Sequence, residues 1–430
     1  MKFRSDLSWA FRSADEIEAR TLRALRNHIA HVKDISPFYR SRLADVDPAG
    51  IASLDEYASM VPCTEKTEIV EQTAALTAAS PDEVVETVVT SGSTGKPLVF
   101  SMTSSDLDRL AYNEALSFSG MGVTAADRAQ ILVSLDRLFI AGMAYYRGLT
   151  LLGANTARIG VLPLEMQQHY LELLRPTVIV GVPSFLRKLA QELQERGFDT
   201  RAAGIRAIAC IGESIRTQDM QLNAVGTQLE ELYNAKAYST YGNTELSVAY
   251  CECTAQNGGH AHPELAYTEI LGDDGKPVPD GTPGEMVVTP LGVEGVPLVR
   301  YRTGDITFRL TEPCSCGRNS CRIGPILARR SQMIKLKGTT VYPLTLTNAL
   351  DELDGVRDYV LVLEGDDSLS DRVALHVVAP PAMVVPIANH LRACARVSFP
   401  VLVSNEASLN AMRGSARKKT RIIDLRRSRA

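Results

Sequence analysis

Thr87-Val88-Val89-Thr90-Ser91-Gly92-Ser93-Thr94-Gly95-Lys96-Pro97-Leu98-Val99-Phe100 sets two apolar or β-branched runs on either side of a hydroxyl-rich loop. Glu83 to Val89 reads as one strand and Leu98 to Met102 as a second. Thr103, Ser104 and Ser105 are cap residues for a helix starting near Asp106. A bound triphosphate needs approachable backbone N–H groups, hydroxyls and a cation. Ser91, Ser93 and Thr94 offer hydroxyls, Gly92 and Gly95 let the backbone come close, and Lys96 brings charge. The Walker loop, G-x-x-x-x-G-K-[ST], does not fit. Gly92 stands too near Gly95, and Pro97 takes the place of the magnesium-binding hydroxyl. A Walker loop also enters a helix, whereas this one enters a strand. A plain β-hairpin turn is the other reading of the segment.

Outward from the loop, the pattern alternates. Ala10 to Val32 has apolar residues at helical spacing among many charges, and Ser36-Pro37 breaks it. Ile131–Ser134, Val178–Gly181 and Ala207–Ile211 read as buried strands, and 162–174 and 185–196 as helices. Such alternation predicts an α/β fold with a largely parallel sheet. Beyond Arg329 the order becomes β-α-β-β-α-β: Met333–Lys337, Pro343–Leu353, Tyr359–Leu363, Arg372–Val378, Val385–Arg396 and Val401–Val403. That order predicts a small separate α+β domain. The expected boundaries are 1–328 for a large N-terminal domain of mixed sheets and helices and 329–430 for the small one.

The 430 residues are ample for two or three domains. Hydrophobic residues make up 45% and charged residues 22%, ordinary for a globular chain. Forty-six Lys and Arg against 50 Asp and Glu leave a net charge of −4, which gives no sign of a nucleic-acid or anionic-membrane binder. No signal-peptide run opens the sequence and no stretch is apolar enough to span a bilayer, so a cytoplasmic location is expected. Of the 8 cysteines, five lie between Cys251 and Cys321, while Cys63, Cys210 and Cys394 stand alone. In a reducing compartment that cluster reads as a metal site sooner than as disulfides. Cys253 and His260 flank a glycine-containing loop and Cys314-Ser315-Cys316-Gly317 is a second pair on a turn, so these four are the chosen ligands of a structural Zn²⁺. Cys251, His262 and Cys321 are spare candidates, and buried free thiols are the alternative.

The loop from Thr90 to Pro97 resembles the phosphate-binding motif of the adenylate-forming enzymes, which include acyl- and aryl-CoA synthetases, adenylation domains and luciferases. Further motifs follow in that family's order. Gly212-Glu213-Ser214 is similar to the segment bordering the adenine. Ser239-Thr240-Tyr241-Gly242-Asn243-Thr244-Glu245 resembles its Y-G-x-T/S-E motif, and Tyr301-Arg302-Thr303-Gly304-Asp305 matches Y-R-T-G-D. Arg329 to Pro343 resembles the hinge opening a mobile C-terminal domain. Ser36-Pro37-Phe38-Tyr39-Arg40, Val61-Pro62-Cys63-Thr64-Glu65-Lys66 and the short length are similar to the phenylacetate–CoA ligase branch.

The resemblance implies roles. Ser91 to Lys96, Gly212, Glu213, Ser214, Gly242, Asn243 and Thr244 would line the ATP site. Glu245 would ligate Mg²⁺ beside the triphosphate, and Tyr241 would stack on the adenine. Asp305 would accept hydrogen bonds from both ribose hydroxyls, since a carboxylate's two oxygens suit a vicinal diol. Arg329 would reach the ribose or phosphates. Lys418 would bridge the substrate carboxylate and the α-phosphate, where two anions must meet. The segment Gly414 to Arg421 lacks the family's glycine before that lysine, which keeps Lys419 as the alternative. The hinge carries Ser331 and Gln332 where the branch has acidic residues. Phe139, Gly142, Met143 and Tyr146 would wall an apolar acyl pocket, suited to an aryl or compact hydrophobic acid.

The implied activity is ATP-dependent ligation of a small carboxylic acid to coenzyme A through an acyl-adenylate, by a homodimer. Delivery to a separate carrier protein or an amine is a second reading. A non-catalytic nucleotide-binding regulator is a third, of a different class.

Overall fold

The computed structural model describes residues 4, 6, 8–90, 98–136, 138–336, 339–365, 371–395, 398–414 and 420–426. The fold is α/β and the chain forms two compact units. The first comprises Met1–Ile215, Gly226–Thr303 and Thr307–Pro325; the second comprises Arg216–Val225, Gly304–Ile306 and Ile326–Ala430. Among the described residues no helix is long and apolar enough to cross a membrane.

The first unit is built on a sheet whose parallel half runs, from the edge, Asn155–Arg158, Arg128–Ile131, Val178–Gly181, Ala207–Cys210 and Lys236–Asn243. Val178–Gly181 and Ala207–Cys210 are buried along their whole length, as continuous apolar strands covered on both faces must be. The chain leaves Arg128–Ile131 toward one neighbour and returns on its other side. That reversal opens a crevice at the carboxyl ends of the strands. Ile131–Ser134 was the expected strand; the observed one starts three residues earlier, at Arg128. The apolar run misleads there, because the strand buries Gln130 as well.

The expectation of a largely parallel sheet holds for only half of it. Only four residues separate Lys236–Asn243 from Val248–Glu252, too few for a crossover, so the two pair antiparallel. Gly259–His260, Arg322–Ile323 and Arg309–Leu310 extend the sheet the same way. Glu86–Val89 and Val99–Met102 form an antiparallel hairpin around the glycine-rich loop. Two further strands, Ala266–Leu271 and Gly284–Pro290, lie in a separate antiparallel ladder.

At the N-terminus the long helix is Ala14–Ile35 instead of starting at Ala10, because Ser13 and Glu16 close a capping box there. Trp9–Phe11 is a short 3₁₀ turn. Ser36-Pro37 ends that helix and also starts the next: Ser36 accepts from the Tyr39 N–H and Pro37 takes the first helical position.

The second unit centres on the antiparallel pair Asp358–Glu364 and Arg372–Val378, flanked in parallel by Ile422–Asp424 and Val401–Val403. Helices Pro343–Asp351 and Val384–Ala395 cover it through a core of Leu346, Leu350, Leu361, Leu375, Ile387 and Leu391. The predicted order misses three elements. Thr339–Val341 pairs with Ile334–Leu336, the helix Glu406–Arg413 follows the fourth strand, and Ile422–Asp424 closes the sheet.

Candidate active site

In the first unit, the carboxyl ends of the parallel strands gather Leu132–Leu135, Gly181–Ser184, Ile211–Ser214 and the end of Lys236–Asn243. Gly212 has φ of 74°, a left-handed turn natural to glycine, two residues after the Ala207–Cys210 strand ends. Glu213 turns back and accepts from the Ser184 N–H at 2.9 Å and hydroxyl at 2.7 Å. Its carboxylate thus ties two of the crevice's loops together. Tyr241 is half-buried, tilted against Tyr250 with ring centroids 6.1 Å apart, and its hydroxyl accepts from Asn243 Nδ2 at 3.4 Å. Asn243 Oδ1 accepts from the Leu246 N–H at 3.0 Å, closing the turn that carries Thr244 and Glu245. A side chain on Gly242 would press on the Val248 carbonyl at 3.0 Å, so close strand pairing accounts for that glycine.

Glu245 is 7% exposed. Its Oε1 accepts from Lys66 Nζ at 3.1 Å and from the Tyr301 hydroxyl at 3.3 Å. An uncompensated buried carboxylate is costly, and these donors offset that cost. Both are placed from a distance. Arg300, itself at φ of 43°, forms a two-pronged ion pair with Glu269 at 2.9 and 3.0 Å and also donates to the carbonyls of Ala58 and Val61. Thr64 exchanges backbone hydrogen bonds with Arg300 and Arg302 on either side of Tyr301. The buried ion pair thereby sets Tyr301 and the segment ending at Lys66 around one carboxylate. Lys66 was quoted in the sequence but given no role. Its one signal is electrostatic: a cation at the first position of the Lys66–Leu76 helix opposes the helix dipole unless something else holds it.

Phe139 caps the helix Ile140–Leu152, and Met143 and Tyr146 follow at helical spacing on one face. Phe139 and Tyr146, like Leu135 and Val182, pack against the sheet's buried core. Gly142 is buried against the Ser134 carbonyl and lies 3.1 Å, measured from an ideal Cβ, from Leu135 Cα. The Arg158 guanidinium stacks on Tyr146 at 4.7 Å from the ring centroid.

Arg302 donates to Glu285 at 3.0 Å and Thr303 Oγ1 to the Met286 carbonyl at 2.8 Å, so this part of the Tyr301–Thr307 strand anchors structure. In the second unit, Asp305 and Arg329 are register partners, and Arg329 Nε lies 3.5 Å from Asp305 Oδ1. Asp305 is buried and Arg329 is half-exposed. Ser331 and Gln332 form a 3₁₀ turn with Arg330. Arg426 donates to the carbonyls of Ser331 and Met333 and pairs with Asp371 at 2.8 Å. Ser91 to Lys96, Lys418 and Lys419 lie outside the described residues. The strands flanking the loop close on each other through Thr90, whose N–H donates to the Leu98 carbonyl at 2.9 Å.

The cysteine cluster assembles in the first unit. Cys253 follows a sheet strand, His260 lies in Gly259–His260, and Cys314 and Cys316 sit on a turn closed by Gly317 at φ of 88°. Cys253 and Cys314 sulfurs are 3.6 Å apart, and Cys316 Sγ is 3.5 Å from His260 Nε2. All four donor atoms lie within 4.8 Å of one another. His260 Nδ1 meets Ser320 Oγ at 3.3 Å, leaving Nε2 toward the sulfurs. Burial, aided by Arg318, pushes His260 down to about 3. Burial likewise pushes Cys253 up to about 12. Cys251 and Cys321 stand apart from this group, and His262 instead meets Ser117 Oγ at 3.4 Å.

The family of AMP-binding enzymes matches residues 19–293. The chain belongs to that family. Within it, the chain falls on the phenylacetate–CoA ligase-like branch. It is 31% identical over 355 residues to the phenylacetate-coenzyme A ligase of Thermus thermophilus, covering 81% of this chain and 78% of that one. It is 27% identical over 438 residues to that of Escherichia coli, covering 96% of each. Among solved structures, a 2-hydroxyisobutyryl-CoA ligase in complex with 2-HIB-AMP superposes with a TM-score of 0.85 at 22% identity, over 96% of this chain and 90% of that one. The fold of this AMP-binding enzyme is thus the two-domain adenylate-forming one.

Proposed function

We propose that this AMP-binding enzyme is an ATP-dependent carboxylate–CoA ligase that makes an acyl-adenylate and then a thioester. The observation that carries the reading is Glu245: a buried carboxylate at the carboxyl end of the sheet, in the family's own motif, already held by one cation and one hydroxyl. The Ser91 to Lys96 loop and Glu245 with Mg²⁺ hold the triphosphate, Gly212 to Ser214 and Tyr241 border the adenine, and Asp305 with Arg329 holds the ribose. A hard carboxylate oxygen suits Mg²⁺. Lys418, or Lys419 one place on, meets the reacting carboxylate. Residues 1–328 bind ATP and acid, and 329–430 form the domain that alternates between half-reactions. The acid is an aryl or compact hydrophobic one, lying along Phe139, Gly142, Met143 and Tyr146 in a cytoplasmic enzyme.

Cys253, His260, Cys314 and Cys316 hold a structural Zn²⁺. Neighbouring donors around a tetrahedral zinc stand about 3.5–3.8 Å apart, and the Cys253–Cys314 and Cys316–His260 separations of 3.6 and 3.5 Å meet that range. Metal analysis should find about one tightly held zinc per chain, lost in a Cys314→Ser, Cys316→Ser double variant.

A pyrophosphate-release screen over aryl, heteroaryl and short aliphatic acids tests the main reading. Acid-dependent release followed by acyl-CoA supports it. Release without thioester formation would shift the acceptor to a carrier protein or amine. No release with any acid would leave a nucleotide-binding regulator.

A further inference from the structure

A second cluster of metal-ligating side chains lies in the C-terminal unit. His390 and Cys394 are four residues apart on the helix Val384–Ala395, so they leave the same face one turn apart. Glu352 caps the carboxyl end of Pro343–Asp351. The two helices share one core, Leu346 and Leu350 with Ile387 and Leu391, and that packing brings Glu352 across to the His–Cys pair. Glu352 Oε2 lies 3.1 Å and Cys394 Sγ 3.7 Å from the same atom, His390 Nε2. The three donor atoms are within 4.8 Å of one another.

We propose that Glu352, His390 and Cys394 form an open three-donor site for Zn²⁺ or a similar borderline divalent cation, clamping the two helices of the C-terminal unit. The donor types support this assignment. Imidazole, thiolate and carboxylate are the three zinc ligands of proteins, and around one tetrahedral zinc they stand roughly 3.3–3.6 Å apart. The observed separations bracket that range before any ion draws the groups in. Cys394 is the only exposed one of the eight cysteines, so ordinary thiol burial does not explain it. Three protein donors leave a fourth position to water. The site should therefore exchange its metal faster than the closed set around Cys253.

The thiol supplies its own readout, since a metal-bound thiolate is withdrawn from alkylation. The intact enzyme, with its tightly held metal left in place, is treated with N-ethylmaleimide with and without added Zn²⁺. Labelling of the Cys394 peptide is followed by mass spectrometry. Added zinc should slow that labelling about tenfold or more, Mg²⁺ should not, and His390→Ala or Glu352→Gln should restore it. Zinc bound at saturation should fall by one equivalent in His390→Ala. An unchanged rate with zinc would overturn the site and reduce the cluster to a surface ion pair. Protection that survives both substitutions would overturn the three-donor set. Neither result depends on the acid that the enzyme activates or on the Cys253 cluster.

Discussion

Glu245 and Glu114 are both buried carboxylates in the first unit, set in different surroundings. Glu245 has Lys66 and Tyr301 as donors to its carboxylate at the end of the sheet. Glu245→Gln keeps the shape and the Tyr301 contact while removing the charge. Adenylation should fall by about 10²–10³ with the fold retained, read as acid-dependent pyrophosphate exchange beside a circular-dichroism melt. Wild-type exchange in that variant would remove Glu245 from the chemistry. Glu114 lies within the helix Ser104–Gly120, where burial raises its carboxyl to about 8. In the unfolded chain such a group ionises near about 4.3. Between those values the native state keeps a proton that the unfolded state has released, so stability falls as pH rises through that window and levels above it. Glu114→Gln should raise stability at pH near ~7.5 by on the order of a few kcal/mol and flatten the slope, read as urea midpoints on either side of neutrality. An unaltered slope would assign the dependence to other groups. In the sequence, Glu245 was legible because its neighbours form a motif. Lys66 was not, because its place is set by the Arg300–Glu269 ion pair, a contact across distant parts of the chain.

At the scale of elements, local patterns carried far. Val178–Gly181 and Val401–Val403 were read to the residue, because apolar runs bounded by breakers leave little choice. The sheet's change from parallel to antiparallel was missed. It depends on the connection between Asn243 and Val248 being a tight turn, which the motif reading treated only as chemistry. The cysteine cluster was legible for another reason: thiol and imidazole identify themselves by residue type, and the fold then needed only to bring two turns together. The packing of the helices Ser104–Gly120 and Ile140–Leu152 was not legible, since it rests on the absence of a side chain at Gly148. A Cβ there would collide with Glu114 Cβ and lie 2.9 Å from the Ala115 nitrogen. Alanine favours a helix over glycine by about 1 kcal/mol, but overpacking costs about 1–3 kcal/mol. Gly148→Ala should therefore destabilise the first unit, seen as a lower melting temperature. A higher one would mean that the helices part without cost.

Across the whole molecule, one chain has to perform two reactions that need different groups at the same carboxyl group. Adenylate formation brings the acid's carboxylate onto the α-phosphate, and in the proposed scheme a lysine from residues 329–430 lowers the repulsion between them. Thioester formation needs no such cation, only the adenylate and an approach for the thiol. If Lys418 serves the first step alone, Lys418→Ala should lose pyrophosphate exchange by about 10²–10³. The same variant, given synthetic acyl-adenylate and coenzyme A, should form thioester at a rate near that of the unaltered chain. Lys419→Ala, run beside it, sets the register: if Lys419→Ala loses exchange while Lys418→Ala keeps it, the catalytic position lies one residue later. Equal loss of both half-reactions would instead point to damage of the C-terminal domain. The proposed rotation is open to a further substitution, because Arg426 fastens the proposed hinge segment through the Ser331 and Met333 carbonyls. Arg426→Ala should leave exchange largely intact and change the rate at which exchange-competent enzyme passes to thioester, since the substitution touches the proposed pivot and neither proposed reacting site.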